Sequence, residues 1–153
     1  MADNPKPTIL RMSQTPTLTT SAYASGDLMG TLMKFKSGEI SKNQNCIIQS
    51  IMISDLAKQD IEVDLVIFPT NPSNTTFTDN AALDINDTDL KTISHIEKFS
   101  SYYDFSDNSA TVSQAMTIPT TYADGIYACL VSRGAGTYAA SDITVVMSII
   151  QDA

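Results

Sequence analysis

Apolar residues recur along this chain in short alternating runs, broken at short intervals by Gly, Pro, Asn, Asp and Ser, which is the spacing of strands and turns. The clearest run is 61–68. Ile61, Val63, Leu65 and Ile67 share one side, Glu62 and Asp64 take the other, and Val66 and Phe68 turn that second side apolar before Pro69 ends the ladder. Leu28 to Lys36 alternates in the same way, with Met29, Thr31, Met33 and Phe35 opposite Leu28, Leu32, Lys34 and Lys36. Cys46 to Ser54 is short, rich in isoleucine and bounded by polar residues, which suits a strand. Thr92 to Phe99 and Ala110 to Ile118, the latter closed by Pro119, are weaker strand patterns. Ile126 to Arg133 and Asp142 to Ile150 are apolar on both sides and are expected to lie centrally in their sheets.

The remaining segments read as connections. Residues 1 to 22 hold Pro5, Pro7, Pro16 and several threonines, a composition for extended backbone, so an N-terminal arm is expected there. Ile9, Leu10 and Met12 give that arm something apolar to bury, on its own domain or on a neighbour. Thr70 to Asp89 is a long polar loop, with a short helix expected near Thr88 to Thr92 and Asp87 as its cap. Tyr102 to Ser109 is expected to be a second loop. Seven or eight strands at such spacing imply an all-β fold, an antiparallel sandwich or jelly-roll-like barrel, with the arm at 1–22 and a single β domain at 23–153. Strands that are apolar on both faces need cover on both, and the surplus implies a surface for another protein, including further copies of the chain.

Length and charge narrow the function classes. A chain of 153 residues, 42% hydrophobic, is enough for one core. Its net charge of −8 sits in the middle: residues 55 to 107 carry eleven acids against Lys58, Lys91 and Lys98, while acids and bases balance elsewhere. That acidic centre repels phosphate backbones, so no nucleic-acid partner is expected. The first residues show no secretory pattern and no stretch is apolar enough for a bilayer, so synthesis in the cytoplasm without a membrane anchor is expected. Cys46 and Cys129 lie inside apolar runs and read as small buried side chains.

The most site-like feature is the carboxylate group of the long loop, where Asp79, Asp84, Asn86, Asp87 and Asp89 lie close together and hard cations favour such oxygens. The spacing departs from an EF-hand loop. Counted from Asp84, the sixth position is Asp89 where glycine is needed, and the twelfth is His95 where glutamate is needed. Turns and helix caps use the same residues, so no cofactor and no metal centre is expected, and Asp84, Asp87 and Asp89 are the positions at which calcium would bind if it did. His95 is the only histidine, and its neighbours Ser94 and Glu97 do not form a nucleophile, base and orienting acid. None of the nucleophile-elbow, P-loop, dinucleotide or zincin motifs occurs, and no catalytic residue is assigned; the chain is not expected to be an enzyme. Tyr102, Tyr103 and Phe105, with Asp104 and Asp107, form an aromatic and acidic loop suited to contact with a partner.

Three stretches carry a resemblance: SAYASGDLMG, then IEVDLVIFPTNPSNTTFTDNAALDINDTDL, and IYACLVSRGAGTYAASDITVVMSIIQD. Across roughly residues 22 to 152 the chain resembles small virion proteins of tailed bacteriophages, and among them head decoration, or cement, proteins. The resemblance implies a β-rich, often trimeric subunit that sits on the outside of an assembled shell and clamps neighbouring major capsid subunits. It implies a virion location after synthesis in the host cytoplasm, with the major capsid protein or other virion proteins as partners. It carries no functional motif, so no site residue is transferred on it. A neck, tail or fibre component, or a calcium-assisted receptor- or glycan-binding module using the acidic loop, are the other functions these residues allow.

Overall fold

The computed structural model describes residues 8–37 and 44–151. Two antiparallel sheets pack face to face. One has the order β1-β10-β3-β7-β6, with β8 also paired to β3; the other has the order β2-β9-β4-β5. The strands are β1 Thr8–Gln14, β2 Leu28–Phe35, β3 Gln44–Asp55, β4 Val63–Phe68, β5 His95–Phe99, β6 Tyr103–Asp104, β7 Ser109–Val112, β8 Ile118–Tyr122, β9 Ile126–Ser132 and β10 Ile143–Gln151; the single helix among the described residues, α1, spans Asp87–Leu90. Setting β1-β10-β3-β7 against β2-β9-β4-β5 is the jelly-roll order, in which most successive strands cross between sheets.

The alternation read from the sequence sorts the side chains as expected. Val63, Leu65 and Ile67 of β4 meet Ile51 and Ile53 of β3 and Val145, Met147 and Ile149 of β10 in the core between the sheets. Each such fully buried aliphatic side chain contributes about 1.5–3 kcal/mol. The second, apolar side of β4 is used too. Val66 and Phe68 join Leu28, Tyr127, Cys129 and Val131 in a smaller cluster on the outer face of the four-stranded sheet. β9 therefore buries all seven of its residues, because its alternate positions feed two different clusters. Both strands expected at sheet centres lie there, β9 between β2 and β4 and β10 between β1 and β3.

The expected arm packs on its own domain over the described residues. Thr8–Gln14 pairs with β10 from Gln151 to Val145. Met12 and Leu18 are buried in the main core. Residues 1–7 of that arm lie outside the described residues.

Four details differ from the sequence reading. The segment expected as one strand from Ala110 to Ile118 is two, β7 and β8, which lie in line along one edge of β3 and pair with its two halves. Pro119 does not end a strand but sits inside β8 opposite Ile47; β8 pairs on one side only, the kind of edge strand in which proline is tolerated. The expected loop at 102–109 contains the two-residue strand β6. Thr31, expected to share a side with Met29 and Met33, is exposed, because the register of β2 against β9 shifts between Met29 and Met33.

Candidate functional site

The long loop is held by its own carboxylates. Asp79 accepts three hydrogen bonds, from the Thr19 amide at 2.8 Å and from the Tyr23 hydroxyl and the Gly30 amide at 2.7 Å each. It thereby joins the loop to the segment that follows β1 and to β2. Asp89 is buried and accepts from the Asn74 amide at 2.9 Å, the Asn74 side chain at 3.1 Å and the Thr75 hydroxyl at 2.7 Å. Burial opposes ionisation of Asp89, but the bonds from Thr75 and Asn74 outweigh it and hold its carboxyl below the ordinary range. Asp84 and Asp87 are exposed. The helix cap expected at Asp87 is instead Asn86, whose side chain accepts from the Thr88 amide at 2.9 Å. Among the described residues no three His, Cys, Asp or Glu side chains come together as a metal site.

Held by Asp79 and Asp89, the loop turns an apolar side to the sheet. Phe77, Leu83, Ile85 and Ile93 pack on the outer cluster of the four-stranded sheet, and Phe77 meets Phe68 edge to face with ring centroids 6.5 Å apart. The loop backbone also lines the start of β2, with Asn80 donating to Leu28 and Leu28 accepting that bond while donating to Ala81, both at 2.9 Å. The apolar part of one sheet face and the start of one sheet edge are thus covered from within the chain.

The other singled-out residues lie apart. His95 and Glu97 face the same way on the edge strand β5, with Nε2 and Oε2 2.7 Å apart. Tyr102 turns inward and donates to the Ile61 carbonyl at 2.7 Å; burial first, then the nearby Asp55 and Asp60, push its hydroxyl above the ordinary phenol range. Tyr103 and Phe105 stay exposed, their rings 5.0 Å apart, while Lys58 donates to the Phe105 carbonyl at 2.7 Å. Cys46 and Cys129 are buried free thiols, and burial pushes them up to about 11 and about 12.

Sequence reasoning did not single out Asp55. It is fully buried at the end of β3 and accepts from the amides of Ala57 at 2.9 Å, Gln59 at 2.9 Å and Asp60 at 3.1 Å, fixing a turn in which Lys58 and Asp60 have left-handed backbones. An acid ending an apolar strand just before polar residues was the available signal.

The outer face of the six-stranded sheet is different in kind. Its outward positions form two apolar rows across neighbouring strands. Ile9, Ile150, Ile47 and Pro119 are successive partners in one, and Val146, Met52 and Val112 in the other. Ile9 is 68% exposed and Val112 61% exposed, and no described segment packs over them. Around Ile47, Pro119 and Ile150 the face dips into an open depression of about 450 Å³. Individual exposed apolar residues are ordinary on proteins; two such rows on one sheet face, separated by Arg11, Ser148 and Ser50, form a patch of the sort used to contact another molecule. Compared with known proteins, the chain matches no protein-family profile and no curated protein sequence.

Proposed function

We propose that this chain is a structural virion subunit, a decoration or cement protein that binds the outside of a tailed-phage capsid and reinforces it. The observation that carries this reading is the apolar face of the six-stranded sheet, which no described segment covers, set on a sandwich whose other outer face carries its own loop over its main apolar cluster. A subunit that strengthens a shell acts by adding buried area between neighbours, and specific interfaces bury about 1,200–2,000 Å² in total. The jelly-roll order supports the reading as well, since viral capsid domains are among the proteins that use it, although fold alone does not fix function. Asp79 and Asp89 of the acidic loop are engaged in holding that loop, which leaves only the exposed Asp84 and Asp87 for a loop-borne ligand and favours assembly. Its partners in this reading are the major capsid protein or other virion proteins.

Particles assembled with and without the chain test the proposal. Heat and osmotic challenge should rupture bare shells first, and a label on the chain should cover the head in many copies. Label at a single vertex would move the protein to the neck, tail or fibre. Equal resistance of both kinds of particle would end the cement reading.

A further inference from the structure

We infer that two copies of this chain pair through the outer face of the six-stranded sheet. The inference rests on the assembly reading above and names a second copy as the occupant of the face that carries it.

Charge selects the occupant. The whole chain carries −8, yet the outward positions of β1, β10, β3, β7 and β8 contain no aspartate or glutamate; their one charge is Arg11, opposite Ser148. Two bodies of the same negative sign repel wherever their carboxylates face each other. They approach at least cost through this broad face, where the described residues carry none. A basic partner would be drawn to the acidic surfaces and would leave this face open, whereas a second copy gains from it alone. Tyr103, outward like its pairing partner Ala110, extends the same uncharged face at the far edge from β1.

Shape and size agree. Four strands side by side and nine residues long span a flat face on the order of 600 Å² at the usual strand spacings, which approaches the ~800 Å² that each partner contributes to a stable complex. Sheets pack flat on one another about 10 Å apart with their strands roughly aligned. A two-fold axis running along the strands lays β1 of one copy over the β7 and β8 edge of the other, so the apolar rows meet and the two Arg11 side chains stand at opposite edges.

Sedimentation of the full chain over a wide concentration range tests this. Expected is a reversible dimer whose dissociation constant rises about a hundredfold or more in Val112→Glu and Ile47→Glu, since each buries a charge at the apolar contact. Ile96→Glu, on the exposed side of β5 in the other sheet, should leave it unchanged. At concentrations where wild type is monomeric, thermal melts of all variants should match it, because Ile47, Val112 and Ile96 are exposed in the single chain. A wild-type monomer at every concentration, a dimer or trimer indifferent to Val112→Glu, or equal weakening by Ile96→Glu would each overturn the inference. Particle binding separates it from the virion reading. A face-dependent dimer that never coats shells keeps the pairing and removes the virion role; a monomer that coats shells does the reverse, and if Val112→Glu abolishes that coating the face belongs to the shell protein.

Discussion

The Tyr23 hydroxyl donates a 2.7 Å hydrogen bond to Asp79, 56 positions away, and this contact joins the two halves of the closed side of the molecule. The same carboxylate accepts from the amides of Thr19 and Gly30, so three donors from three places in the chain converge on one side chain. Burial, followed by the hydrogen bond to Asp79 and its charge, raises the Tyr23 hydroxyl above the ordinary phenol range, so it remains a donor at every physiological pH. Asp79→Ala takes this acceptor from all three donors, leaving the Thr19 amide only its 3.1 Å bond to the Tyr23 oxygen. The expected loss is about 3 kcal/mol, or a fall of about 6–12 °C in Tm for a chain of this size. Asp79→Asn, which keeps one carbonyl oxygen in place, should lose less. Thermal and urea unfolding measure both; a silent Asp79→Ala would remove Asp79 as the hub.

Gly30 stands where a side chain has neither the room nor the backbone for it. Its φ is +77°, and a Cβ there would lie 2.6 Å from Cβ of Pro16. The register shift of β2 against β9 falls at this point. Gly30→Ala is expected to cost about 2–3 kcal/mol, combining the left-handed backbone with displacement of Pro16. Stability equal to wild type would show that the segment before Thr17 moves freely.

Phe77 is the loop's main aromatic contact with the four-stranded sheet. Phe77→Ala should destabilise by about 2 kcal/mol, less than a fully buried phenylalanine because the ring is only partly enclosed. It should also uncover Phe68 and Val66, detected as added binding of a hydrophobic dye and faster amide exchange across 69–94. Unchanged exchange there would mean that the hydrogen bonds of Asp79 and Asp89 alone hold the loop.

Two buried aspartates should respond to pH in opposite directions. Asp89, held below the ordinary 3.8 by Thr75 and Asn74 against its burial, contributes stability that is present above pH 3.8 and lost as pH falls through its folded value. Asp55 is raised above 3.8 by burial, despite three backbone amides; its contribution is full below pH 3.8 and is lost as pH rises through its folded value. The deficit of Asp89→Asn relative to wild type should therefore shrink on acidification, and that of Asp55→Asn should shrink as pH rises. Melts of the three proteins across the acid range decide it, and parallel curves would contradict both assignments.

Much of the sandwich was legible because side-chain alternation is a local property. The period of two in Val63 to Phe68 and the doubly apolar runs of β9 and β10 named their own faces and their central positions. The aspartates were legible as a group but not by role. Asp79 and Asp89 differ from Asp84 and Asp87 only in which distant amides and hydroxyls arrive beside them. The split of 110–118 and the place of Pro119 followed from which part of β3 each half could reach, which no local pattern records.

Composition and periodicity by themselves determined an acidic all-β chain with more apolar strand surface than one core uses, because each residue's preference for water or for its neighbours acts within a few positions. Which surplus would be covered was decided only in three dimensions. The loop after β4 folds over the four-stranded sheet because Asp79 and Asp89 find their donors there, and no described segment reaches the outer face across β10 and β3. That asymmetry depends on contacts between residues far apart in the chain, and it exists only once the two sheets have closed on each other.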